Sequence, residues 1–152
     1  MLMKTLKSLL KRFKFELIIF SISLLFSVWL MFSTFSYQNG EMQIASKAWS
    51  DFASHIPLIR SFSLGDNFIP QYPLFSGPPI KYHFLFYAFV GMIEKIGLDI
   101  DYALNIPSAI GFSSLILIIY LFSKEIFKSK SVGVISIFLF LFNVKCNFIH
   151  FQ

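Results

Sequence analysis

The chain has 152 residues, of which 56% are hydrophobic, only 14% are charged and 21 are phenylalanine. A soluble domain normally carries about a quarter charged residues and would have to bury nearly all of these phenylalanines, so the composition favours a membrane protein. The formal net charge of +5 does not indicate a nucleic-acid partner, because the basic residues lie beside apolar segments. The single cysteine, Cys146, excludes an intramolecular disulfide framework.

A basic amino terminus precedes a long apolar run. The run Leu17–Phe35 contains no charged residue, and as a helix rising about 1.5 Å per residue it spans the roughly 30 Å hydrocarbon core of a bilayer. A signal peptide has the same order of parts, but its apolar region is usually about 7–15 residues long, and MFSTFSYQNG offers no small-residue cleavage site. We therefore predict a retained signal anchor at 17–37, with residues 1–16 in the cytoplasm.

Residues 38–81 are too charged and too rich in proline to cross a membrane, so they are predicted to form an outer loop. Its first part, roughly 41–56, has helical periodicity, and we expect Pro57 to end or bend the helix. This pattern predicts an interfacial helix with its apolar side toward lipid, and the rest of the loop is expected to be extended but ordered. The predicted apolar stripe is Ala45, Trp49, Phe52, Ile56 and Ile59, opposite Lys47, Asp51 and His55.

Three further apolar segments follow the loop. The segment 82–98 is predicted to cross at a tilt, because Glu94 and Lys95 near its end can reach the interface. The segment 105–123 is uncharged and makes a better span, whereas 132–144 is too short for a comfortable crossing. The predicted fold class is therefore an all-α integral membrane protein, with about four apolar helices and an outer loop that contains an interfacial helix.

The charges beside these segments leave the topology open. Alternation from a cytoplasmic amino terminus places the lysines at 124–130 outside and the acidic link 98–104 inside. The positive-inside rule prefers the opposite for both segments. Either the first helix dominates the orientation, or residues 83–97 re-enter the membrane without crossing it. We adopt the first interpretation as the prediction.

The last apolar segment is followed by the tail KCNFIHFQ, which has no polar cap. This ending predicts that the chain is an amino-terminal fragment of a longer membrane protein, and a half-inserted terminal helix is the alternative. In either case the whole chain is predicted to be one multi-pass domain of the cell membrane.

Asp51 and His55 are the first candidates for chemistry in the outer loop. At a spacing of four residues on a helix they can hydrogen-bond to each other or jointly hold a divalent cation or an acceptor hydroxyl. The alternative is an ordinary solvated face of an interfacial helix. Arg60 and Lys81 can pair with the phosphate of a lipid carrier, or else with lipid headgroups.

The order of these parts resembles the amino-terminal part of the GT-C membrane glycosyltransferases. The resemblance rests on the basic terminus, one anchor helix, an early Asp in the outer loop, and interfacial helices. A G-x-P-x-x-Y stretch then enters the second span in GPPIKYHFLFYAFVGMIEKIGL, and a later span opens with ALNIPSAIGF. The resemblance covers roughly residues 10–144. The superfamily includes protein mannosyltransferases, aminoarabinose transferases and oligosaccharyltransferases.

The resemblance implies transfer of a sugar from a polyprenyl-phosphate carrier at the outer face of the membrane. Asp51 would be the catalytic base or a ligand of a divalent cation, Mg²⁺ or Mn²⁺, and His55 would assist it. Because family members have many more spans, we expect this chain to be inactive alone. The alternative is a small non-enzymatic membrane protein whose outer loop binds lipid headgroups or a partner subunit. The expected substrate-binding residues are Arg60, Asp66, Tyr72, Lys81 and Tyr82.

Overall fold

The computed structural model describes residues 13–67, 69–81 and 83–142, except for the side chain of Ser76. These residues form two compact units, 13–27 with 110–142 and Val28–Ala109, and the boundaries fall within two long helices. The elements in chain order are α1 (Lys14–Thr34), β1 (Phe35–Gln38), β2 (Glu41–Ile44), α2 (Trp49–Ser63), β3 (Gln71–Tyr72), β4 (Phe75–Pro79), α3 (Leu85–Lys95), α4 (Ile100–Phe127) and α5 (Lys130–Phe142).

The first unit consists of the early part of α1, the later part of α4, and α5. The Glu16 carboxylate accepts a hydrogen bond of 2.6 Å from Lys124 Nζ, and the ring of Phe15 lies 5.9 Å from that of Tyr120. These contacts place the start of α1 beside the end of α4, so the two helices run antiparallel. Helix α5 turns back along α4, because Gly133 lies against Tyr120.

In this unit α1 buries polar residues and exposes apolar ones, whereas α4 also buries Ile116 and Tyr120. The buried residues of α1 are Glu16, Ser23 and Ser27, whereas Leu25 remains 73% exposed. Small polar residues at helix contacts with apolar residues outside are typical of helices packed in lipid. Only 17% of the most apolar stretch of α1 and 22% of that of α4 is buried, so neither is the covered core helix of a soluble domain.

Helices α1 and α4 are the two described helices that are long and apolar enough to cross a membrane. Helix α3, at the predicted crossing 82–98, has only 11 residues, which is about half the length needed. The predicted set of four apolar helices is therefore not confirmed. Helix α4 is longer than the predicted span 105–123, and α5 has 13 residues before the described part of the chain ends at residue 142.

The ion pair between Glu16 and Lys124 also bears on topology. The two charged groups are in contact at one end of the first unit, so the lysines at 124–130 follow a helix that ends beside the start of α1. This contact favours the interpretation in which residues 83–97 do not cross the membrane over the predicted placement of these lysines outside.

The second unit contains a hairpin where the anchor was predicted to continue. Helix α1 ends at Thr34, not at residue 37, because β1 pairs with β2 in the register Gln38↔Glu41. Asn39 and Gly40 both have positive φ, 54° and 84°, as a tight two-residue hairpin requires. The prediction of a helix from about residue 41 is wrong for this reason. The described residues are nevertheless mostly helical, as predicted, with two short hairpins in addition to the helices.

Helix α2 starts at Trp49 and continues through Pro57 to Ser63, so of the two expected effects of this proline, ending or bending the helix, the first does not occur. Its apolar stripe does not lie wholly on the surface as predicted, although Trp49 remains 63% exposed. Phe52, Ile56 and Ile59 instead pack in a core with α3, which satisfies their burial within the protein. The predicted extended stretch also contains a second hairpin, β3–β4. The fully buried members of the core are Phe35, Leu58, Ile59, Tyr87, Val90, Ile100, Ala103 and Leu104.

Candidate functional site

Helix α2 carries the predicted catalytic residues and is held rigidly against α3. Gly91 of α3 permits the close approach, because a Cβ there would lie 2.7 Å from Phe62 Cβ and 2.8 Å from the Ile59 carbonyl oxygen. The nearby Arg60 Nε lies 3.1 Å from Glu94 Oε1, and the Glu94 side chain is only 9% exposed. The position of the candidate site is therefore fixed by both packing and charge.

Asp51 and His55 lie one turn apart on α2, as the spacing predicts, but in different environments. Asp51 is in the first turn and is exposed. His55 is half-buried, and its ring stacks on that of Tyr87 with centroids 4.9 Å apart. Within the described residues no ion pair engages the Asp51 carboxylate, and no hydrogen bond joins it to His55. The carboxylate therefore remains available to a ligand from solvent.

His55 lines a cavity of about 210 Å³ within the second unit. The rings of Phe52, Phe86 and Tyr87 form much of its wall. Asn105 and Ser108 also line it, but both donate hydrogen bonds to backbone carbonyls, at 2.8 and 2.7 Å. The cavity is thus mainly apolar and aromatic, with an imidazole at its wall.

The predicted phosphate-binding residues do not converge. Arg60 is paired with Glu94, and its guanidinium carbon lies 5.9 Å from the centre of the Tyr37 ring. A phosphate at Arg60 would therefore share the guanidinium with a buried carboxylate. Lys81 is exposed, and no contact between it and Arg60 is present in the described part of the chain. Phosphate binding by these residues stays a prediction.

The remaining substrate-binding candidates are also separated. Asp66 is fully exposed and lies 3.8 Å from Lys95, at the edge of a second cavity of about 310 Å³. Tyr72 is half-buried beside the core, and its hydroxyl donates a long hydrogen bond of 3.5 Å to the Ser54 carbonyl. Tyr82 lies outside the described residues. Tyr72 therefore has a packing role in this structure.

Few protein side chains in the described ranges could act as ligands of a metal ion at the candidate site. No group of three or more His, Cys, Asp or Glu side chains converges there. A divalent cation at Asp51 would take most of its ligands from water, substrate or residues beyond those ranges. The cation therefore stays a prediction that rests on Asp51 alone.

Two buried polar residues of α4 were not predicted to have a role. An oxygen of the Asp101 carboxylate accepts a hydrogen bond of 3.1 Å from the Tyr37 amide, and Asn105 donates one of 2.8 Å to the Phe35 carbonyl. Together they fasten β1 to the start of α4. The spacing of four residues between Asp101 and Asn105 puts both on one side of a helix, which could have indicated a shared role. In the sequence analysis, the acidic link 98–104 was used only to assign topology.

Comparisons of the chain with protein-family models, with curated proteins and with solved structures find no match.

Proposed function

We propose that α1 and α4 each cross the cell membrane and that residues 35–99 form the outer part of a multi-pass protein. The amino terminus is then cytoplasmic. Two crossings return the chain to its starting side, so Lys124, Lys128 and Lys130 lie on the same side as the basic residues 1–14, as the positive-inside rule prefers. The contact between Glu16 and Lys124 supports this arrangement.

We further propose that this outer part belongs to a membrane glycosyltransferase of the GT-C type, which transfers a sugar from a lipid-phosphate carrier. The observation that carries the proposal is the pairing of an exposed carboxylate, Asp51, with the cavity wall formed one turn later by His55. A carboxylate held on a rigid helix can accept the proton of an acceptor hydroxyl or bind a cation. The aromatic cavity beside it suits a sugar ring or an apolar chain.

The transferase proposal is tested by Asp51→Asn in the longest form of the protein that the gene encodes. We expect this variant to lose sugar transfer from a polyprenyl-phosphate donor while its membrane insertion is unchanged, because the amide cannot accept the proton. Transfer is measured with radiolabelled donor in membranes. The matched control is Glu41→Gln, which removes an exposed carboxylate from β2 in the same unit. Full activity of Asp51→Asn would remove Asp51 from the site.

A second function, contact with lipid headgroups or a partner subunit without catalysis, is favoured by the β3–β4 hairpin. Leu74 and Phe75 at this hairpin are 62% and 75% exposed, as expected for a contact surface and not for a catalytic wall. The same transfer assay separates the two functions, because a non-enzymatic protein gives no transfer even before Asp51 is changed.

A further inference from the structure

Helix α3 has an apolar face that the rest of the described chain leaves uncovered. Leu85, Phe89, Met92 and the cap residue Ile96 are 74%, 47%, 56% and 83% exposed. Their spacing of four, three and four residues puts them on one side of a helix. We call these four residues the α3 outer stripe.

The opposite face of α3 is already occupied. Tyr87, Val90 and Gly91 are buried against the core, and Glu94 is paired with Arg60 of α2. The helix therefore cannot rotate to bury the outer stripe without exposing these residues and breaking the ion pair. The stripe needs an apolar environment from outside the described chain, or else remains in contact with water.

The length of α3 and its short connection to α4 indicate that this environment is the membrane interface. An eleven-residue helix is about 16 Å long and does not cross a hydrocarbon core of roughly 30 Å. The end of α3 at Lys95 is only five residues from the start of α4 at Ile100, a reach of at most about 17 Å. The early residues of α4 also expose apolar side chains, with Tyr102 49% and Ile106 41% exposed.

We propose that α3 lies in the outer interface of the membrane, with the α3 outer stripe buried in lipid. In the chain, this stripe is followed closely by the exposed apolar residues Tyr102 and Ile106 of early α4. Lys95, 57% exposed at the end of the helix, can reach anionic headgroups. This assigns to α3 the interfacial position that the sequence pattern gave to α2, and it places the helix that carries Asp51 on the side of α3 away from lipid.

The proposal is tested by spin-label accessibility in the full chain, reconstituted into vesicles of phosphatidylcholine and phosphatidylglycerol. Single cysteines replace Leu85, Phe89, Met92 and Ile96 in turn, in a Cys146→Ser background. We expect each nitroxide to collide several-fold more often with oxygen, which partitions into lipid, than with the water-soluble complex of nickel and ethylenediaminediacetate. Leu25→Cys in α1 is the lipid control, and Lys47→Cys, in the exposed segment before α2, is the water control.

Two outcomes overturn the proposal. Preferential collision with the nickel complex at all four positions means that the stripe lies in water. Low accessibility to both reagents means that protein covers it, from a partner or from a further part of the chain. Neither result depends on sugar transfer, so the test is independent of the proposed catalytic function.

A gentler substitution provides a second measurement in case a labelled variant does not fold. Phe89→Trp is introduced with the two native tryptophans, Trp29 and Trp49, changed to phenylalanine. An interfacial helix lies about 5–10 Å into the headgroup and acyl boundary. We therefore expect stronger fluorescence quenching by lipids brominated near the headgroup end of the acyl chain than by those brominated near the methyl end. Absence of quenching by either lipid contradicts the proposal.

Discussion

At the residue scale, the candidate site depends on one small residue in α3. Gly91 lets α2 approach so closely that any side chain at this position meets backbone atoms of Ile59 and Ser63 as well as Phe62. Because backbone cannot move aside as a flexible side chain can, added volume at this point must separate the helices.

We expect Gly91→Ala to lower the free energy of unfolding by about 1–3 kcal/mol through overpacking. Gly111→Ala is the matched control in α4, where an added Cβ meets no atom within 4 Å and the gain in helix propensity is about 0.8–1.0 kcal/mol. The two substitutions should shift the melting temperature in detergent in opposite directions. An unchanged or raised melting temperature for Gly91→Ala would show that α2 and α3 are not in such close contact.

The ion pair between Arg60 and Glu94 is a contact that could not be predicted from the sequence. Arg60 and Glu94 were both noted in the sequence, one as a phosphate ligand and the other as an interfacial charge. They are 34 positions apart and on different helices, so no local pattern indicates that Arg60 Nε lies 3.1 Å from a Glu94 oxygen. The helical positions of Asp51 and His55, by contrast, depend only on local periodicity and were correctly placed on one helix.

At the element scale, the hairpin β1–β2 is fastened to α4 by side chains. Asn105 is 2% exposed, and its amide is the hydrogen-bond donor to the Phe35 carbonyl at the start of β1. A buried carbonyl that loses such a donor is costly, because water cannot replace it.

We expect Asn105→Ala to cost about 1–3 kcal/mol and to raise amide hydrogen exchange in residues 35–44. Ser108→Ala is the control on the same helix, because the Ser108 hydroxyl donates only to the Leu104 carbonyl of its own helix. Hydrogen exchange with mass spectrometry measures both variants. Equal exchange in the hairpin of the two variants would mean that the Asn105 hydrogen bond does not hold β1.

The elements differ in how well the sequence predicted them. The long apolar helices were predicted because composition alone determines them. Helix α1 ends earlier than predicted, at Thr34, because strand β1 begins at Phe35, and α4 begins earlier, at Ile100. The helix at 41–56 was misplaced because residues 41–44 can satisfy either a helix or a strand, and the Asn39–Gly40 turn decides for the strand. Three members of the apolar stripe of α2, Phe52, Ile56 and Ile59, pack within the protein, and periodicity does not reveal whether the partner of such a stripe is protein or lipid.

At the scale of the whole molecule, the sequence left two topologies, and the proposed topology corresponds to the one that was not adopted as the prediction. Three apolar segments before residue 124 were counted as crossings, and this count set the charges against the positive-inside rule. A short α3 removes one crossing, and the contact between Glu16 and Lys124 puts the basic ends together. In the proposed topology the conflict with the positive-inside rule disappears, because one crossing is removed.

In the proposed topology, residues 35–99, with Asp51, lie on the outer side of the cell membrane, and the lysines at 124–130 lie on the cytoplasmic side. This topology is tested by labelling intact cells with a membrane-impermeant maleimide, using Ser50→Cys and Ser131→Cys in a Cys146→Ser background. Both serines are exposed, one at the second residue of α2 and the other at the second residue of α5. We predict that Ser50→Cys is labelled in intact cells and that Ser131→Cys is labelled only after permeabilisation. Labelling of both positions in intact cells would contradict the two-crossing topology.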